Sequence, residues 1–173
     1  SFTDINNGSA AVTVTKLLDG ATITMGDATE VDTLTNAFTY SFVTNSSENN
    51  ITLKVTDIST PDIITGDGMA DDLIIDATGT NELNVASAAV KTITVSGTGS
   101  LDLDDGGTTL NAATTTVNAS ALTGAAVVAA SASSTTITTG AGGDTVTGSG
   151  AADVIVLGAG NDTYHATKGN DSI

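Results

Sequence analysis

The sequence predicts an all-β chain, coiled as a right-handed parallel β-helix or β-roll solenoid, with an irregular or sandwich-like β region at its N-terminal end. Three observations lead there. Four aspartates recur every nine residues, Asp144, Asp153, Asp162 and Asp171, and two residues after each stands Val146, Ile155, Tyr164 or Ile173. Short β-branched runs alternate with Gly, Asn, Asp and Ser along the whole chain, while a helical apolar period is nearly absent. The side chains are small: 173 residues weigh 16.9 kDa, aromatics make up 3 % and Trp is missing. A globular α/β core would use larger groups, whereas a solenoid buries small and β-branched residues between neighbouring coils.

Taken in order, the predicted strands are 11–15, 22–25, 38–43, 51–55, 73–76, 82–85, 91–96, 100–103, 114–118, 126–129, 135–138, 145–147, 154–157 and 163–165. A short helical turn over 121–130 competes with a strand at Val127-Val128. Residues 1–57 hold all three Phe and the Phe38-Thr39-Tyr40-Ser41-Phe42 alternation, the mark of one half-buried strand. From about 58 onward the strands shorten and their pacing becomes regular. The expected organisation is therefore an N-terminal β region (1–57), a β-solenoid (58–138) and a repeat segment (139–173), with Pro61 near the first junction.

Composition excludes several function classes. Net charge is −16, from 20 acidic residues against four lysines and no arginine, so nucleic acid is not an expected partner. Asp outnumbers Glu, and short carboxylates suit turns and tight oxygen cages more than solvated helices. Cysteine is absent, which removes disulfides and thiolate chemistry. No window approaches the ~20 apolar residues of a membrane span, and Ser1-Phe2-Thr3-Asp4 has no signal-peptide character. The chain begins mid-pattern and stops inside a repeat, so it reads as a piece of a longer protein.

The aspartate period carries the chemistry. Each nonapeptide supplies a six-residue loop and a three-residue strand, and two nonapeptides close one coil. Asp144 is then expected over Asp162, and Asp153 over Asp171. Stacked strands lie about 4.7–4.9 Å apart, where two carboxylates repel by roughly 1–3 kcal/mol. A divalent cation turns that repulsion into attraction, and Ca²⁺ takes six to eight oxygens, backbone carbonyls included. The competing reading is a metal-free solenoid with Asn/Asp turn ladders.

The register G-G-x-G-x-D-x-U-x over residues 139–173 resembles the RTX calcium-binding repeat family. In that family, loop carbonyls of two stacked coils join two Asp side chains around Ca²⁺. The resemblance implies one cage from Thr139, Ala141, Asp144, Gly158, Gly160 and Asp162. It implies a second from Gly148, Gly150, Asp153, Thr167, Gly169 and Asp171. Ser149 and Thr167 stand where the pattern has its second glycine, and Ala151 where it has its third, so the cages are unequal. A degenerate upstream copy, with Asp62, Gly66, Gly68 and Asp71 as candidate ligands, keeps the nine-residue interval but has no Asp one coil later. Between the copies, residues 106–143 contain no acidic residue, and Thr and Ser ladders are expected to replace metal.

Other signals read as structural. Asp102-Leu103-Asp104-Asp105 lacks the remaining EF-hand ligands and is expected to be a hydrophilic turn. His165 is the one histidine and is expected at the surface. Gly158-Ala159-Gly160-Asn161-Asp162 is not a phosphate loop, because its carboxylates would repel phosphate. Thr-x-Thr pairs such as Thr92/Thr94 and Thr136/Thr138 follow from strand propensity rather than from an ice-binding array. No H-E-x-x-H, G-x-S-x-G or Walker motif occurs, so a non-enzymatic role is expected.

Residues 75–173 further resemble the calcium-dependent surface-layer proteins of Gram-negative bacteria, through 90–97, 100–103 and 117–124 running into the nonapeptides. That resemblance implies type I secretion, an extracellular place at the cell surface, self-association into a lattice, and a cell-surface polysaccharide as a further partner. Two other classes stay open: a module of a large RTX adhesin that binds a surface or glycan, and the repeat domain of a secreted hydrolase.

Overall fold

A computed structural model describes residues 12–26, 32–33, 38–43, 49–59, 62–65, 70–104 and 109–173. The described elements are strands throughout: β1 (Val12–Leu17), β2 (Ala21–Met25), β3 (Asp32–Thr33), β4 (Phe38–Phe42), β5 (Asn49–Thr56), β6 (Ile58–Ser59), β7 (Asp62–Thr65), β8 (Ala70–Thr78) and β9 (Thr80–Glu82). They continue as β10 (Asn84–Val85), β11 (Thr92–Gly97), β12 (Ser100–Asp102), β13 (Thr116–Leu122), β14 (Ala126–Ala129), β15 (Thr136–Thr138), β16 (Thr145–Thr147), β17 (Val154–Val156) and β18 (Thr163–His165). The segment 126–129 is a strand, so the competing helical turn does not form there.

All strand pairs are parallel, and neighbours in a sheet are never consecutive in the chain, which is the topology of a solenoid. One sheet has seven strands in the order β17-β15-β13-β11-β8-β5-β2, and a second has five in the order β18-β16-β14-β12-β9. A four-stranded sheet, β1-β4-β7-β10, and the pair β3-β6 complete the N-terminal coils. Strands β1 to β6 pair in parallel like the rest, and β5 lies beside β8 in the large sheet.

Where side chains are described, alternate residues of the strands of the large sheet point inward and stack on their equivalents in the next coil. In the seven-stranded sheet, Ile51, Leu73, Ile93, Val117, Ile137 and Ile155 form one such column, all buried. Each of these side chains contributes about 1.5–3 kcal/mol through removal from water. Branched residues dominate because they fit a pleated surface at this spacing. The Phe38-Thr39-Tyr40-Ser41-Phe42 alternation buries its three rings: Phe38 and Tyr40 stack at 6.1 Å, and Tyr40 meets Phe42 edge-on at 5.9 Å.

Polar residues close the coils where apolar ones cannot. Asn81 is buried; its Oδ1 accepts from the Ile58 N–H, and its Nδ2 donates to the Thr78 and Ser100 carbonyls. In the stretch without acidic residues, Ser131 Oγ donates to the Thr114 carbonyl at 2.9 Å and lies 2.9 Å from Thr135 Oγ1. Thr114, Ser131 and Thr135 are all buried, so hydroxyls fill the corner of these coils. On the outer face, Lys54 pairs with Asp76 of the adjacent strand at 3.3 Å.

Candidate metal centre

The coil period settles to eighteen residues at the C-terminal end. Thr145 of β16 lies beside Thr163 of β18, and Thr136 of β15 beside Val154 of β17. Successive nonapeptides therefore alternate between the two large sheets, and the aspartates fall into two rows on opposite edges. Asp144 and Asp162 precede β16 and β18. Asp153 precedes β17, and Asp171 precedes Ser172, which bridges to Val154.

Each aspartate spends one oxygen on the coil before it. Asp162 Oδ1 accepts from the Asp144 N–H at 2.9 Å, and Asp144 Oδ1 from the Ala126 N–H at 2.8 Å. On the other edge, Asp171 Oδ1 accepts from the Asp153 N–H at 3.0 Å, and Asp153 Oδ1 from the Thr135 N–H at 2.8 Å. A carboxylate held by a backbone amide eighteen residues away is the rung that fixes this period.

The two edges then diverge. Asp144 is 1 % exposed, and its Oδ2 is buried with no hydrogen-bond partner. Such an oxygen is costly unless a cation or proton joins it. Asp153 is equally buried, but its Oδ2 accepts from the Ser149 N–H at 2.8 Å and lies 2.9 Å from Ser149 Oγ. Asp171 Oδ2 accepts from the Tyr164 hydroxyl at 2.9 Å. Desolvation, that hydrogen bond and the charges of Asp171 and Asp153 push the Tyr164 hydroxyl up to about 12.

The remaining predicted ligands sit in the same loops. Gly158 and Gly160 stack on the loop of Thr139 and Ala141: the Ala159 N–H donates to the Gly140 carbonyl at 2.8 Å, and the Gly158 N–H to Thr139 Oγ1 at 3.2 Å. Gly160 has φ +141, and a Cβ there would overlap the Gly142 carbonyl oxygen and stand 3.1 Å from Asp162 Oδ1. Only glycine lets the loop carbonyls approach the carboxylate this closely. Gly169 repeats the arrangement on the other edge, with φ +145 over Ala151. Gly148 lies beneath the Tyr164 hydroxyl, Gly150 is exposed, and Thr167 Oγ1 donates to the Ser149 carbonyl.

The upstream copy is different. Asp62 begins β7 and Asp71 lies within β8, so both stand in paired strands, and Gly66 and Gly68 lie outside the described residues. Among the described residues no three His, Cys, Asp or Glu side chains converge on one point. A cation at the C-terminal loops would therefore rest on two carboxylates plus carbonyls, which is a hard-cation donor set. In the Asp102 segment, Asp102 Oδ1 accepts from the Asp104 N–H at 2.8 Å, residues 105–108 lie outside the described residues, and His165 is exposed.

Sequence reasoning missed three things here: the amide rungs, and the roles of Ser149 and Tyr164. Ser149 read only as a departure from the repeat pattern, and Tyr164 only as the residue two places after Asp162. A hydroxyl at the second loop position and a tyrosine at the apolar position were the available signals.

Loops of this kind on a parallel coil define an acidic, cation-binding β-roll. Residues 136–173 match the family model of the RTX calcium-binding nonapeptide repeat, in four copies. This part of the chain is similar to the RTX repeat, a calcium-binding repeat, and calcium fits the unpartnered oxygen of Asp144. RTX repeats are calcium-binding and occur in secreted proteins. No curated protein and no solved structure matches it.

Proposed function

We propose that this chain is a non-enzymatic, extracellular segment of a bacterial surface layer, folded by calcium after secretion and self-associating into a lattice. The observation that carries the calcium mechanism is the buried, unpartnered Oδ2 of Asp144. Without calcium, stacked carboxylates in a chain of net charge −16 oppose coil closure. With calcium, Thr139, Ala141, Asp144, Gly158, Gly160 and Asp162 would hold the ion, and its binding free energy adds to folding. Low calcium inside the cell then keeps the segment open for export, and millimolar calcium outside closes it.

The lattice role is supported by the outer face of the seven-stranded sheet. The outward column Thr22, Thr52, Ile74, Thr94, Asn118 and Thr138 crosses six coils with mostly short, uncharged side chains. A long, regular face of this kind suits side-by-side tiling.

Calcium titration followed by circular dichroism tests the folding step, and electron microscopy with and without calcium tests assembly. A β signal that rises with calcium and ordered arrays that vanish in chelator are expected. An unchanged β signal and melting temperature in excess chelator would sink calcium-driven folding. Isolated particles under both conditions, together with retention on a surface polysaccharide, would replace the lattice role by the adhesin one.

A further inference from the structure

We infer that the two edges of the RTX coil are chemically specialised: the Asp144/Asp162 edge takes calcium, while the Asp153/Asp171 edge is closed without metal by the hydroxyls of Ser149 and Tyr164. The inference rests on the calcium reading for its first half and departs from the repeat pattern in its second.

The residue four places before each aspartate decides the edge. Stacking at eighteen residues puts Gly140 and Gly158 in one column, and Ser131, Ser149 and Thr167 in the other. The glycine column has no side chain to offer, and Asp144 Oδ2 is left without a partner. In the other column Ser149 binds Asp153 Oδ2 through both N–H and Oγ, and Thr167 is tied to the Ser149 carbonyl. Tyr164 closes the same space from the next coil. Its hydroxyl bonds Asp171 Oδ2 at 2.9 Å and lies 2.6 Å from where a Cβ on Gly148 would stand. Gly148 and Asp171 both belong to the predicted second cage, so the phenol occupies part of the room a cation would need.

The coil before supplies an internal control. There Ser131 occupies the column position and Thr135 replaces the aspartate. The Ser133 N–H donates to Ser131 Oγ, which lies 2.9 Å from Thr135 Oγ1. One coil later the Ala151 N–H donates to Ser149 Oγ at 3.1 Å, which meets Asp153 at 2.9 Å. The turn is the same, and in the earlier copy no carboxylate is present to hold a cation. Within that turn the closing side-chain bonds are hydroxyl bonds, and the one carboxylate that reaches it, Asp153 of the next coil, does so through Oδ1 to the Thr135 N–H. For calcium to enter the second cage it would have to displace the bonds to both Oδ2 atoms, whereas at Asp144 it displaces none.

The test is calcium stoichiometry by equilibrium dialysis on the 173-residue chain, with melting temperature in chelator read alongside. Asp144→Asn is expected to remove one equivalent and Asp153→Asn none. The double variant Ser149→Gly/Tyr164→Phe restores the glycine and removes the phenol hydroxyl, so it is expected to gain one equivalent and to melt lower than the parent in chelator. Loss of an equivalent in Asp153→Asn, or no gain in the double variant, overturns the hydroxyl closure while leaving calcium binding intact. A parent chain that binds no calcium refutes the calcium reading instead. In that case the melting comparison still decides the closure: equal melting of parent and double variant overturns it.

Discussion

Replacing Asp144 by asparagine separates two effects of opposite sign. Asparagine keeps an oxygen for the Ala126 N–H, so the rung to the previous coil survives. It removes a buried negative charge whose Oδ2 has no partner and whose stacking neighbour is Asp162. In chelator that removal relieves about 1–3 kcal/mol of carboxylate repulsion at the strand spacing. Asp144→Asn is therefore expected to melt at or above the parent when calcium is absent. In calcium the order reverses, because the amide adds a donor where the cation needs an acceptor. At a calcium concentration a hundredfold above its dissociation constant, the parent gains about 2.7 kcal/mol. For a chain of this size that is a rise of about 5–10 °C in melting temperature. The assay is thermal melting by circular dichroism for parent and variant, each with chelator and with saturating calcium. A variant that loses several degrees in chelator, or that still rises with calcium as the parent does, would refute the reasoning.

Three further outcomes follow from the same contacts. Gly160→Ala forces a Cβ onto the Gly142 carbonyl at φ +141, so it should lower the melting temperature and weaken calcium binding; equal behaviour in both would contradict the stacking of these loops. Asn81→Leu strands the Ile58 N–H and two carbonyls in the interior and is expected to cost about 1–3 kcal/mol in urea unfolding, the cost of a buried group left unbonded. Tyr164 should ionise near 12 in chelator, and Asp171→Asn should bring that midpoint down toward the usual tyrosine value, as read by tyrosinate absorbance. Because the folded-state value is raised, the stability from the Tyr164–Asp171 bond is complete below about pH 10 and is lost as pH rises through 12; a midpoint unmoved by Asp171→Asn would count against that bond.

Much of the architecture was legible in the chain. Strands β15 to β18 fall where the nine-residue interval puts them, because each three-residue run must alternate inward and outward and each loop must turn in six. The N-terminal coils were harder to place. Leu53 sits beside Ile75, and Phe38 beside Ile63, but those coils differ in length, so no interval in the sequence announces their pairing. The Phe38–Phe42 alternation identified a strand without identifying its neighbours. The same limit applied to Asp19 and Asp57, which accept from the Asn50 and Thr80 N–H groups of the following coil at 2.9 Å.

By itself the sequence determined the all-β class, the eighteen-residue closure of the C-terminal coils and the two aspartate rows, because each is a consequence of local period. Tertiary structure alone decided how the four carboxylates differ. Their Oδ1 atoms are all committed to amides one coil away, and the fate of Oδ2 depends on what stands four residues earlier and one strand across. Glycine leaves the oxygen of Asp144 open, and the hydroxyls of Ser149 and Tyr164 close those of Asp153 and Asp171. Identical spacing along the chain thus yields two chemically different edges, since hydrogen bonding is settled by neighbours in space.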